Sequence, residues 1–220
     1  MVQANVKQII IGLSCLMLFF AISILSIQNQ LIVMDQSIIS FLFEKSSSFL
    51  VSVMEGITKI GSGESIIVLT ALIGSYLLFK KMWGFATLLV ILTFGGFALN
   101  FFLKVLFQRE RPGEMSVIEV FGYSLELASY SFPSGHTMRS VILFSFLILL
   151  CYRFVKSPLK MITISSLFIV MIISVALSRI IVGAHFPSDI FAAITISISW
   201  FYFCLITLRY IFRNKLLFLL

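Results

Sequence analysis

Long apolar runs limit this chain more than anything else in it. Six stand out, at residues 9–27, 65–79, 83–103, 137–152, 161–177 and 190–208. A helix needs about 20 apolar residues to cross the ~30 Å hydrocarbon core of a bilayer. The second and fourth runs are short, and Lys80 and Arg153 at their ends can extend them by reaching to the interface. With 60% hydrophobic and 11% charged residues in 220, a soluble domain could not hide its own apolar surface. The expectation is one all-α integral membrane domain over residues 1–220, with six transmembrane helices. The first run is too long for a signal-peptide core and is followed by Gln28-Asn29-Gln30 rather than a small-residue cleavage site, so it reads as a retained span.

Between the first two runs, residues 31–59 mix Ile38, Phe41, Phe49 and Met54 with Asp35, Glu44 and Glu55. That pattern predicts helices lying along the membrane interface, broken at Ser46-Ser47-Ser48. The second long connection, 107–132, carries Pro112, Gly113 and Gly122.

Charge orients the spans. With six crossings, one side holds Lys7, Lys80, Lys81, Arg153, Lys156, Lys160, Arg209, Arg213 and Lys215 and no acid, and all 9 acidic residues fall on the other. The positive-inside rule then puts both termini in the cytoplasm of a plasma or inner membrane. The net charge of +7 does not point to nucleic acid, because the basic residues are scattered over span ends rather than gathered in a stripe. Cys15, Cys151 and Cys204 lie in apolar runs and read as packing residues, with no disulfide framework or metal site.

Some cations remain on the outer side. Lys45, Lys59 and Arg109 have Glu44, Glu55 and Glu110 nearby and read as solvated or surface-paired. Lys104, Arg111, Arg139 and Arg179 stand at the outer ends of spans, where an unpaired cation is costly. Converging cations there imply a bound anion, and the guanidinium fork suits phosphate oxygens. The only two histidines, His136 and His185, fall on the same side, and Asp189 follows His185 by one helical turn. A carboxylate so placed can hold an imidazole in one tautomer. Ser134 and Gly135 precede the fourth span, and a helix start with a glycine turn offers free N–H groups to an anion.

These residues fall into three motifs: "KVLFQRERP" from Lys104 to Pro112, "PSGH" from Pro133 to His136, and "SRIIVGAHFPSD" from Ser178 to Asp189. Together they resemble the type 2 phosphatidic acid phosphatase (PAP2) superfamily, whose pattern is Lys-x6-Arg-Pro, Pro-Ser-Gly-His and Ser-Arg-x5-His-x3-Asp. The motifs occupy residues 104–189, in order and with the family's internal spacing. Within the superfamily, the compact size resembles the bacterial phosphatidylglycerophosphatase B-like members.

The resemblance implies a PAP2/haloperoxidase-like helical core and a metal-independent lipid phosphate phosphatase with no cofactor, its site on the extracytoplasmic face. It implies His185 as nucleophile forming a phosphohistidine, Asp189 orienting it, and His136 as general acid. Lys104, Arg111 and Arg179 bind phosphoryl oxygens, helped by Ser134 and the Gly135 N–H. The implied substrate is a membrane lipid phosphate, undecaprenyl diphosphate or phosphatidylglycerol phosphate. A phosphotransferase would use the same residues, whereas an anion transporter would need charge deeper in the membrane or paired broken helices. Arg139 departs from the family, which usually has a small or apolar residue shortly after the second motif. Its expected role is contact with a second phosphate or another headgroup anion, the alternative being an ion pair with Glu119 or Glu126. Asn100, one turn before Lys104, either orients that lysine or joins helices.

Overall fold

The computed structural model describes residues 2–44, 46–112, 118–120, 123–125 and 130–212. Readings that involve Lys45, Gly113, Glu114, Gly122, Glu126, Arg213, Lys215 or the Glu119 side chain lie outside what is described.

The chain is helical almost throughout. Helix α1 (Val2–Ile27) is followed by α2 (Ile32–Glu44), α3 (Ser48–Thr58) and a single 3-10 turn (Lys59–Gly61). Then come α4 (Gly63–Phe79), α5 (Trp83–Phe107), α6 (Gly135–Phe154), α7 (Pro158–Ile181) and α8 (Pro187–Ile211). The long 107–132 connection adds an antiparallel ribbon that an all-α reading does not include: β1 (Ile118–Val120) pairs with β2 (Tyr123–Leu125), Ile118 opposite Leu125.

Local chemistry sets the helix ends. Ser47 accepts from Leu50 N at 3.2 Å and starts α3, so the serine break falls where the sequence places it. Ser62 does the same for α4 through Ser65 N at 3.1 Å. Pro158 and Pro187 occupy first-turn positions, where a missing N–H costs nothing. Gly183, at φ +72°, ends α7 in a left-handed turn that a β-carbon would strain.

Among the described residues, five helices are long and apolar enough to cross a membrane: α1, α5, α6, α7 and α8. The sixth expected span is weaker. Helix α4 has 17 residues, about 25 Å of rise, and reaches spanning length only together with α3 and the 3-10 turn, across a 46° bend. Outward-facing Met17, Leu72, Phe101, Leu159 and Phe203 are exposed, a surface suited to lipid rather than water.

The interior is layered. Helix α1 packs on α8, and α6 lies between α7 and α8. A large apolar cluster around Leu88, Leu89, Leu92, Leu143, Phe146 and Leu205 joins α5, α6 and α8. Gly95 leaves room for the Trp200 ring, whose Nε1 donates to Leu92 O at 3.2 Å. Thr70 and Thr93 hydrogen-bond at 3.2 Å between α4 and α5. Small residues and interhelical hydrogen bonds of this kind hold helices together where the hydrophobic effect cannot.

Candidate active site

The polar residues that remain gather at one end of the bundle, where α5 and α7 finish and α6 and α8 begin. The turn between α7 and α8 builds the first half. Gly183 reverses the chain, and Arg179 O accepts from both Ala184 N at 3.1 Å and His185 N at 3.2 Å. Arg179 and His185 are therefore fixed to each other by backbone. Asp189, in the first turn of α8, accepts from Phe186 N at 3.0 Å and faces His185 Nδ1 at 3.4 Å. A carboxylate can only accept, so Nδ1 carries the proton and the ring lone pair lies on Nε2. His185 is 1% exposed and Asp189 fully buried. Burial, and then the charges of Lys104, Arg111 and Arg179, push His185 well below the ordinary imidazole range, against a hydrogen bond with the Ser131 backbone. The ring is neutral at physiological pH.

The second half comes from α5, α6 and the connection between them. Ser131 ties the base of that connection together, its N–H donating to Arg109 O at 2.7 Å and its hydroxyl to Glu110 O at 2.9 Å. Lys104 Nζ donates to Tyr130 O. Arg111 Nη1 donates to Ala184 O at 3.4 Å, which brings it to the α7–α8 turn, and burial lowers its proton affinity against the opposing charge of Asp189. His136, in the first turn of α6, lies within the fields of Arg179, Arg139, Arg111 and His185. The three motifs thus meet in one cluster.

The neighbouring side chains complete the cluster. Ser134 is fully buried; its hydroxyl accepts from Thr137 at 3.0 Å and its N–H donates to Asp189 O at 3.2 Å. Gly135 is needed for space, since a β-carbon there would stand 2.8 Å from Asn100 Oδ1 and 3.2 Å from Arg139 Nη1. Asn100 donates to Pro133 O and Met138 Sδ, both at 3.1 Å, so it joins α5 to α6 and does not orient Lys104. Arg139 donates from Nε to Gly61 O at 3.1 Å, sets Nη2 3.3 Å from His136 Nδ1, and lies over the Phe97 ring at 5.2 Å.

The largest correction concerns Arg109. The sequence reads it as solvated or paired with Glu110, but it is only 16% exposed and bridges two buried carboxylates, Asp35 at 2.8 Å and Asp189 at 2.6 Å. Asp35, Thr58 and Gly61, all from the segment between α1 and α4, were not legible as site residues. Thr58 accepts from Arg179 Nη1 at 2.8 Å, a pair 121 residues apart. The signal in the sequence was slight: Asp35 is the only charged residue of α2 before the terminal Glu44.

Comparison with known proteins identifies the arrangement. The profile of the PAP2 superfamily matches residues 84–213. The chain belongs to this superfamily. Among PAP2 proteins, it is 29% identical over 155 residues to phosphatidylglycerophosphatase B of Bacillus subtilis, covering 68% of this chain and 71% of that one. The crystal structure of a transmembrane PAP2 type phosphatidylglycerolphosphate phosphatase from B. subtilis superposes with a TM-score of 0.78 at 22% identity, over 93% of this chain and 98% of that one. Aquifex aeolicus LpxE gives 0.58 at 21% identity, over 77% and 93%. The sequence reading of a multi-pass membrane phosphatase of the PAP2 type is borne out.

Proposed function

We propose that the chain hydrolyses a lipid phosphate through a covalent phosphohistidine on His185. The observation that carries this is the buried His185–Asp189 pair, 3.4 Å apart, with Lys104, Arg111 and Arg179 all acting on the same imidazole. His185 Nε2 attacks phosphorus, and the bond from phosphorus to the lipid oxygen breaks. Asp189 stabilises the positive charge that forms on the ring. The bound phosphate dianion offsets the cations around His136 and lets the ring take up a proton, which it gives to the leaving oxygen; it then takes one from the water that cleaves the P–N bond. Lys104, Arg111 and Arg179 neutralise the phosphoryl oxygens, and Arg179 Nε, buried and without a partner among the described residues, offers an unused N–H. The Gly135 N–H at the start of α6 adds a further donor. The charge that a metal clamp supplies in other phosphoryl transfers comes here from three side chains. Among the described residues no group of three or more His, Cys, Asp or Glu could hold a metal ion.

The positive-inside distribution supports an extracytoplasmic position for this end of the bundle. A site there, beside hydrocarbon, takes a phosphate whose tail stays in the bilayer. The curated relative is named for phosphatidylglycerophosphate, and undecaprenyl diphosphate, exposed on that face, is the other candidate.

The test is phosphate release in detergent with a chelator present, from undecaprenyl diphosphate, phosphatidylglycerol phosphate and phosphatidic acid, with His185→Ala alongside. Release abolished by the substitution, together with acid-labile label on wild-type His185, supports the mechanism. Release that survives His185→Ala refutes it. Label that passes to an added alcohol instead of water makes the chain a phosphotransferase.

A further inference from the structure

We propose that Asp35 and Arg109 are positioning residues that fix the tautomer of His185 by holding Asp189 in one orientation. This rests on the phosphohistidine reading above and extends it to a segment outside the three motifs. Asp189 divides its two oxygens. Oδ2 serves His185 Nδ1 and Phe186 N, and Oδ1 accepts from Arg109 Nη1 at 2.6 Å. Rotation of the carboxylate would break both sets, so Arg109 locks the oxygen that the imidazole uses.

Arg109 is itself locked on three sides. Its Nη2 donates to Asp35 Oδ2 at 2.8 Å, its Nη1 also reaches Ser188 Oγ at 2.7 Å, and its guanidinium lies over the Phe186 ring at 4.2 Å. Asp35 then closes the circuit on α8. Its Oδ1 accepts from Ser188 N at 2.9 Å and its Oδ2 from Ser188 Oγ at 2.5 Å. Asp35 is fully buried, on a helix 153 residues from Ser188. Burying a carboxylate is costly unless its charge and lone pairs are met, and here both oxygens are.

Electrostatics gives the pair a second effect. Arg109 alone beside Asp189 would neutralise the carboxylate that His185 needs. Asp35 shares the guanidinium, so Asp189 keeps negative charge for the imidazolium that forms during attack. Neither residue need touch phosphate. Loss of either should therefore lower kcat and leave KM nearly alone.

The experiment uses purified full-length protein in detergent, wild type and the Asp35→Asn, Arg109→Lys and double variants. The chain has only 2 histidines, so nitrogen-15 labelling, with His136→Asn for assignment, reads the His185 tautomer without any need for turnover. In wild type a single Nδ1–H form is expected; in each single variant, a mixture. Phosphate release should fall roughly 10- to 100-fold in kcat, with KM changed less than about threefold, and the double variant should be no worse than the weaker single within about twofold. Asp35→Asn leaves a one-to-one Arg109–Asp189 pair and Arg109→Lys keeps the cation, so the two fail to fold for different reasons if they fail at all. An unchanged His185 signal with kcat within about twofold of wild type in either folded variant overturns the proposal. Wild-type protein that releases no phosphate would refute the proposed function, while the tautomer measurement still decides this pair.

Discussion

Two glycines make a matched test of how tightly the site is packed. Gly61 ends the 3-10 turn, wedged between α6 and α7. A β-carbon there would lie 2.8 Å from Ser140 Oγ, 2.8 Å from Val175 Cγ1 and 3.0 Å from His136 O. Non-bonded carbons prefer about 3.5–4.0 Å, so the turn or its neighbours must move by roughly 0.7 Å or more. Overpacking of this kind costs about 1–3 kcal/mol. Against it, alanine restricts the unfolded chain and returns about 0.4–1 kcal/mol. The net for Gly61→Ala is a loss of about 1–2 kcal/mol.

Gly74, inside α4, has nothing within 4 Å of the same added carbon, so Gly74→Ala should gain roughly 0.5–1 kcal/mol. For a chain of this size each kcal/mol moves the midpoint by about 2–4 °C. Thermal melting in one detergent should show Gly61→Ala lower by about 2–8 °C and Gly74→Ala higher by about 1–4 °C. Gly61→Ala should also lose activity, because Gly61 O accepts from Arg139, which in turn faces His136 Nδ1. Adding Ser140→Ala removes one of the clashing atoms and should restore part of the midpoint. Equal shifts of one sign, or a fully active and equally stable Gly61→Ala, would refute the packing argument.

Arg179→Lys keeps a charge but cannot hold Thr58 at 2.8 Å and offer Nε–H at once; kcat/KM for phosphate release should fall about 10²–10³-fold. Arg139→Ala should slow all lipid phosphates alike and leave the ranking of diphosphate against monophosphate unchanged, since Arg139 is held by Gly61 O, His136 and Phe97; a changed ranking would restore the headgroup role. Acid should destabilise the protein through His185. Its folded pKa is depressed, so below about pH 6.5 the unfolded chain takes a proton that the fold refuses, and stability falls by at most about 1.4 kcal/mol per pH unit. Denaturation between pH 7 and 5 should show a shallower loss in His185→Asn, and an identical loss would count against a neutral buried ring.

What could be read from the chain alone was whatever is local. His185 and Asp189 are four residues apart across a helix start, so their pairing follows from spacing. Lys104, Arg111 and His136 were legible from motif order and the alternation of spans. Arg109 was not, because its partners are 74 and 80 residues away and its nearest acid in sequence, Glu110, is not one of them. Asp35 was misread for a related reason: an acid in a short apolar helix resembles an interfacial residue until α8 is seen to cover it. The bend before α4 has no signature in hydropathy, which records apolar length and not direction.

The α7–α8 turn has a mechanical consequence. Arg179 and His185 share one short loop, tied by hydrogen bonds to a single carbonyl, so their separation is a property of backbone. His136 starts α6, outside that turn, and meets them through the packing of α6 on α7 and α8 and through contacts such as Ser134 N to Asp189 O at 3.2 Å. A bilayer thicker or thinner than the spans tilts helices at a cost of fractions of a kcal/mol per Å. Tilt slides helices along one another and leaves each turn intact. On the proposed roles, membrane thickness would change the spacing of His185 and His136, while the Arg179–His185 separation would stay constant.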